Sequence, residues 1–284
     1  MRVVHRVKFL LLLACLAVTA ILALRARGTR PAPADWPVNV GHRGASLLYP
    51  ENTPAAFRAA VEAGAGGLEL DVHLTRDGHP VVLHDATVDR TTDGFGSVSG
   101  MTLAEVRRLD AGGAGRPGER IPTLREVLAE FPGVTVNVDI KDHGLPGAER
   151  VVLDVLRGAG ATGRALVASA DHAVLRRFRK AAGKACDTGA SRLEIGVFWG
   201  LSLLRLEGLV RPAYAALQVP PDYRGLRVVT PRLVRAAHSR GVRVDVWTVN
   251  EPDRMRALLD LGVDSIMTDR PETLAKVLED RRAG

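Results

Sequence analysis

The sequence predicts a (β/α)8 TIM-type barrel with a short excursion after its second strand, preceded by an apolar N-terminal helix. Three observations carry this. From residue 38 onward, short apolar runs of strand character alternate with stretches of helical period, which implies parallel strands joined by crossover helices. Counting one indistinct strand near 185–188, about eight strands fit, and 284 residues suit a barrel domain of about 250. No G-x-G-x-x-G follows the first strand, so a doubly wound nucleotide-binding sheet, the alternative fold, loses support.

The elements follow in order. Residues 38–42 (VNVGH) form the first strand, and Asn52 caps a helix with Pro54 in its first turn. Residues 67–74 (GLELDVHL) alternate with period two, and 80–84 (PVVLH) make another extended run. The Gly- and Thr-rich stretch 86–120 is the excursion, with one helical piece at 102–109. Next come a helix at 122–130, an alternating strand at 134–140 (VTVNVDI), a helix at 147–157, a strand at 164–168 and a helix at 171–182. After an indistinct stretch, the strands 215–219, 242–247 and 263–267 alternate with helices 231–240, 252–260 and 271–280.

The N-terminus reads separately. Residues 9–24 (FLLLLACLAVTAILAL) carry no charge and are flanked by Arg2, Arg6 and Lys8 before and Arg25, Arg27 and Arg30 after. The run is long for a signal core and short for a span, its small-residue cleavage signal is weak, and arginines follow directly. Residues 1–30 are therefore read as an uncleaved membrane anchor, a cleaved signal and secretion being the alternative; basic residues on both sides leave its orientation open under the positive-inside rule, and the barrel is expected outside the cytoplasm. Residues 31–37, with three prolines, form a stiff linker, and residues 38–284 the barrel domain.

Composition excludes several classes. Hydrophobic residues make up 46% and charged residues 25%, which rules out disordered and coiled-coil chains. Two cysteines, Cys15 and Cys186, exclude a disulfide scaffold and a cysteine-ligated zinc site. The net charge of +7 is compatible with anionic lipid or phosphate, but aromatics at 4% are too few for base-stacking platforms, and no nucleic-acid partner is expected.

Barrel chemistry sits at the C-terminal strand ends. The polar residues there are His42 and Arg43, Glu69 and Asp71, His84, Asp139 and Lys141, and Trp247. Glu69 and Asp71 lie two apart on a strand, so both carboxylates point to one face and repel unless a cation neutralises them. Asp139 adds a third acid. Three carboxylates without cysteine suit one hard divalent cation, Mg²⁺ or Ca²⁺, although a purely structural network with Arg43 and Lys141 would use the same residues. His42 and His84 are candidates for acid–base work on a phosphate ester. Asp85 is either a helper of His84 or a turn residue. His73 is expected to point outward, and His5, His79, His143, His172 and His238 to lie on the surface or in loops.

Several stretches resemble the glycerophosphodiester phosphodiesterase family. They are HRGASLLYPENTPAAF (42–57), LELDVHLTRDGHPVVLHDATVDRTT (68–92), IPTLREVL (121–128), NVDIK (137–141), VWTVN (246–250) and GVDSIMTDRP (262–271). The resemblance implies a (β/α)8 barrel, His42 and His84 as catalytic histidines, and Glu69, Asp71 and Asp139 as metal ligands. It implies phosphate or substrate contacts for Arg43, Lys141 and Trp247, with Glu51 near the site holding Arg43. Asp139 stands where many members carry glutamate, one methylene longer. The N-V-D-I-K form is similar to the membrane-attached, lysophospholipase D-like subgroup. The substrate expected is a glycerophosphodiester, deacylated or a lysophospholipid. It is cleaved to a glycerol phosphate or lysophosphatidic acid and an alcohol such as choline. The alternatives are a non-catalytic phospholipid-binding barrel and a sugar-phosphate hydrolase. The apolar stretch 195–210 (IGVFWGLSLLRLEGLV) is either a buried barrel helix or an apolar rim that admits an acyl chain.

Overall fold

The computed structural model describes residue 36 and residues 38–141 and 147–283. The apolar run 9–24, most of the linker and His143 lie outside the described residues. The strands are β1 (Asn39–His42), β2 (Gly67–Leu74), β3 (Pro80–Val82), β4 (Thr135–Ile140), β5 (Ala165–Ala168), β6 (Asp187–Thr188), β7 (Ala216–Val219), β8 (Asp222–Tyr223), β9 (Leu226–Arg227), β10 (Arg243–Val246) and β11 (Ser265–Thr268). Eight of them pair in parallel in the order β6-β5-β4-β2-β1-β11-β10-β7. A single parallel bridge, Gly189 to Ala216, brings the ends together, and the Ala190 amide donates to the Ala216 carbonyl at 2.9 Å. The result is a nearly closed eight-stranded parallel barrel wrapped by helices, as the alternation of elements predicts.

The helices are α1 (Pro54–Glu62), α2 (Leu103–Val106), α3 (Leu124–Glu130), α4 (Ala148–Gly158), α5 (His172–Ala182), α6 (Arg192–Leu203), α7 (Pro231–Ser239), α8 (Pro252–Asp260) and α9 (Pro271–Ala283). Their starts are chemically marked. Thr102 with Glu105, Thr123 with Glu126, and Ser191 with Glu194 form capping boxes that satisfy otherwise orphaned amides. One cap differs from expectation. Thr53, not Asn52, caps α1 by accepting from the Ala56 amide. Asn52 adopts φ +58° and turns its amide to Asp71 instead.

The run at 80–84 is not a barrel stave. β3 pairs antiparallel with β2, Val72 opposite Val82, and opens the excursion. That excursion has its own small core of Val81, Leu83, Val88, Val98, Val106, Ala111 and Ile121. The apolar faces of the barrel strands and helices divide into two clusters. One runs from Ala45 to Cys186 and the other from Ala190 to Val277. At the foot of the barrel Trp36 stacks on Arg243, whose guanidinium carbon lies 4.2 Å from the ring centre. Arg243 in turn pairs with the fully buried Asp245 at 3.3 Å.

The stretch 195–210 resolves as most of α6 and the loop after it. Phe198 is fully buried in the second cluster, and Trp199 packs against it partly buried. Because α6 runs from the end of β6 back toward the start of β7, Leu203 to Leu209 lie at the foot of the barrel, away from the strand ends that hold the site. This stretch therefore does not form an apolar rim at the site, because the crossover carries it down the outside of the barrel.

Gly44 carries φ +87°, and a Cβ there would come within 2.6 Å of the Ala56 backbone. The strain of the left-handed region adds to an overpacked contact, so Gly44→Ala should lose at least about 2 kcal/mol in urea unfolding. An unchanged midpoint would show that α1 can retreat from β1 at no cost.

Candidate active site

β1, β2 and β4 are neighbours, and their register sets the centre of the site. His42 lies opposite Glu69, and Asp71 opposite Asp139. Leu68, Leu70 and Val72 alternate to the other side and enter the helix-facing core, which leaves Glu69 and Asp71 on the barrel interior. Asp71 is 1% exposed, yet both of its oxygens meet a polar or charged neighbour. Lys141 Nζ stands 2.9 Å from its Oδ1, while Arg43 Nε at 3.3 Å and the Asn52 amide at 2.9 Å meet its Oδ2. Burial opposes ionisation, but the Lys141 and Arg43 charges outweigh it and hold the carboxyl below its usual range. Lys141 also donates to Asp139 Oδ2 at 2.6 Å.

Glu69 is the opposite case. Burial comes first and the neighbouring Asp71 charge second, and together they push its carboxyl up to about 8. Its Oε2 accepts from the Arg43 amide at 3.1 Å and lies 3.9 Å from His42 Nε2. Arg43 itself adopts φ +57°, which aims its guanidinium at Glu51, 2.9 Å away.

Each histidine has its own aspartate. His42 Nδ1 lies 2.7 Å from Asp269 Oδ1. Ser46 Oγ donates to the same oxygen at 2.7 Å, and the Asn250 amide donates to Asp269 Oδ2 at 2.8 Å. Although burial lowers the His42 pKa, the Asp269 hydrogen bond and the Glu69 charge raise it on balance. Asp269 is depressed to about 2: burial opposes this, but the hydrogen bonds from His42 and Asn250 prevail. His84 Nδ1 lies 2.7 Å from Asp85 Oδ1. Arg90 donates to Asp85 at 2.6 Å and to both oxygens of Glu51 at 2.8 and 2.9 Å. One arginine of the excursion thus ties the partner of His84 to the partner of Arg43.

The sequence-predicted residues His42, Arg43, Glu51, Glu69, Asp71, His84, Asp139 and Lys141 are joined by this one network. Trp247 sits apart, 43% exposed, where β10 ends beside β7. The expectation that His73 points outward fails. Period two puts it on the same face as Asp71, and its Nε2 meets the His84 carbonyl at 3.1 Å. Asp269, Ser46, Asn250 and Arg90 carry no role in the sequence reading, and Asn52 only that of a helix cap. All five lie inside the motif stretches quoted above.

The donors suit a hard cation. Asp139 Oδ1 is buried without a hydrogen-bond partner, and Glu69 carries a carboxyl whose charge is poorly neutralised by the protein. They are not gathered into a ready cage, however. Among the described residues no three His, Cys, Asp or Glu side chains converge as a metal cluster, because Lys141 lies between Asp71 and Asp139.

A parallel barrel with its acids, bases and cations gathered at the strand ends is the arrangement of a barrel enzyme, and its family makes this one a phosphoric diester hydrolase. The model of the glycerophosphoryl diester phosphodiesterase family matches residues 42–273, and the chain belongs to that family. It is 40% identical over 251 residues to a glycerophosphodiester phosphodiesterase of Caldanaerobacter subterraneus, covering 84% of this chain and 96% of the relative. An enzyme of the same name from Bacillus altitudinis is 32% identical over 249 residues, 85% of this chain and 98% of the relative. Among solved structures, an Oleispira antarctica phosphodiesterase in complex with the product sn-glycerol-3-phosphate superposes with TM-score 0.70 at 28% identity, over 84% of this chain and 96% of that one.

Asp269→Asn tests the His42 pairing. A depressed carboxylate contributes stability above its unfolded pKa of about 3.9, and that contribution is lost as pH falls toward about 2. The variant should be about 2 kcal/mol less stable at pH 7, and the gap should close between about pH 4 and pH 2 in denaturant titrations. A gap that persists at pH 2 would mean that packing, not charge, holds Asp269.

Proposed function

We propose that this glycerophosphodiester phosphodiesterase cleaves its substrate by acid–base catalysis with His42 and His84. The observation that carries the reading is that the two histidines, each hydrogen-bonded through Nδ1 to an aspartate, belong to the network around Arg43 and Lys141. With Nδ1 engaged, Nε2 of each ring is the atom left to exchange a proton. One histidine takes the proton of the attacking oxygen, and the other gives one to the departing alcohol. Arg43 and Lys141 bind the phosphate and offset the negative charge that grows on its oxygens. The product complex of the Oleispira relative supports a glycerol phosphate as the retained half.

Enzymes of this family generally use a divalent metal. Here Glu69, Asp71 and Asp139 would hold Mg²⁺ or Ca²⁺, which when bound would supply further charge for the phosphate oxygens. Chelator should therefore abolish hydrolysis of glycerophosphocholine, and added Mg²⁺ or Ca²⁺ should restore it. Full activity in chelator would remove the cation from the reaction. His42→Ala and His84→Ala should each lower turnover by about 10²–10⁴-fold with a smaller change in KM. Wild-type turnover in either variant would end the two-histidine reading.

A lysophospholipid substrate, giving lysophosphatidic acid and choline, is the finer reading. It is favoured by exposed apolar side chains on the loops at the strand ends. Leu47 and Leu48 follow β1, Tyr223 and Leu226 follow β7, and Trp247 follows β10. Each acyl methylene buried there contributes about 0.8 kcal/mol. The specificity constant for lysophosphatidylcholine should then exceed that for glycerophosphocholine, and a reversed order would leave the plain glycerophosphodiesterase. We infer from the uncharged run 9–24 that an N-terminal anchor holds the protein at a membrane. The full chain should accordingly sediment with membranes.

A further inference from the structure

We propose that the foot of the barrel rests on an anionic lipid surface and so holds the mouth of the active site away from it. This rests on the N-terminal segment being a membrane anchor. Four leucines fall within seven residues at the end of α6 and just beyond it, and all are open to solvent: Leu203, Leu204, Leu206 and Leu209, at 53%, 68%, 43% and 54% exposure. Exposed apolar side chains this dense mark a contact surface. They do not serve the site, because this loop joins the lower end of α6 to the start of β7, at the opposite end of the barrel from His42 and Asp269.

Two further observations select a lipid surface as the occupant. The first is where the chain enters. Trp36 packs on Leu166, Ala215 and Ala216, at the start of β7, and stacks on Arg243 at the start of β10. The N-terminal segment therefore leaves the barrel at the same end as the leucines. The apolar run ends at Leu24, so only 12 residues reach to Trp36, a tether of at most about 40 Å. An anchor on so short a tether brings this end to the membrane first. The second is charge. Arg205 and Arg211 are exposed among the leucines, while the one acid of the loop, Glu207, is paired with Arg232. Leucines flanked by arginines suit an interface of acyl chains under anionic headgroups.

Seated this way, the enzyme draws substrate from the aqueous side. A glycerophosphodiester reaches the mouth freely, whereas a lysophospholipid must first leave the bilayer.

The test uses the full chain with Cys15→Ser, Cys186 being buried and out of reach of a dye. An environment-sensitive fluorophore is attached at Gly208→Cys, where an added side chain meets nothing within 4 Å, or at Leu226→Cys on the mouth. Each protein is mixed with phosphatidylcholine vesicles containing phosphatidylglycerol. Co-flotation reads the anchor, and iodide quenching of the dye reads the docked face. The expected result is co-flotation, a blue shift and loss of quenching at 208, and full quenching at 226. Leu204→Asp with Leu209→Asp should restore quenching at 208 while co-flotation and glycerophosphocholine hydrolysis stay unchanged. Shielding at 226 with quenching at 208 would overturn the proposal by turning the mouth to the membrane. Co-flotation with both dyes quenched would overturn docking and keep the anchor. No co-flotation would end both.

Discussion

Glu69 and Asp71 force the rest of the site. A strand with period two cannot point them apart, so two carboxylates face one buried interior with little water to screen them. The protein neutralises only one. Lys141 from the end of β4, and Arg43 and Asn52 from the loop after β1, converge on Asp71, while Glu69 keeps a carboxyl pushed up to about 8. The unusual local backbones follow from this division. Arg43 and Asn52 both take positive φ because the loop between β1 and α1 must return its side chains to β2. The absence of a side chain at Gly44 then lets α1 pack close enough to hold that loop. The same Arg43 reaches Glu51, and Glu51 reaches Arg90, so the charge balance of the barrel extends into the excursion that carries His84.

How much of this was legible follows from the range over which each signal acts. Strand period two is local, and it marks β2 and β4, and with them Glu69, Asp71 and Asp139, in the sequence itself. Register is not local: that Asp71 would stand opposite Asp139 depends on how two strands slide against each other. The partner of His42 lies 227 residues away, directly after β11, and no spacing rule joins positions so distant. β6 escaped clear definition for a different reason. With two residues it has too few positions to show a period, and the barrel holds it in place through its neighbours. The 195–210 stretch misled because apolar content says that a segment is buried or sticky, not at which end of a barrel it falls.

The two ends of the barrel also divide its polar interior. At the foot, Arg243 and Asp245 neutralise one another beneath Trp36, and that pair takes no part in the network at the mouth. At the mouth, the pairs are chained rather than closed, with each cation shared between two acids. A shared cation can lean toward either partner at small cost, which suits a region that must accommodate a phosphate.

The split of the apolar core into two clusters has a consequence for assembly. The segment up to Cys186 carries His42, Arg43, Glu69, Asp71, His84, Asp139 and Lys141, and the segment from Ala190 carries Asn250 and Asp269. The two meet along β1–β11 and at the single bridge between Gly189 and Ala216. Neither half-barrel alone contains an oriented His42, because its aspartate belongs to the other. The His42–Asp269 pair is therefore a property of the seam. It reports that two separately cored halves have closed on each other, which secondary structure or burial within either half does not.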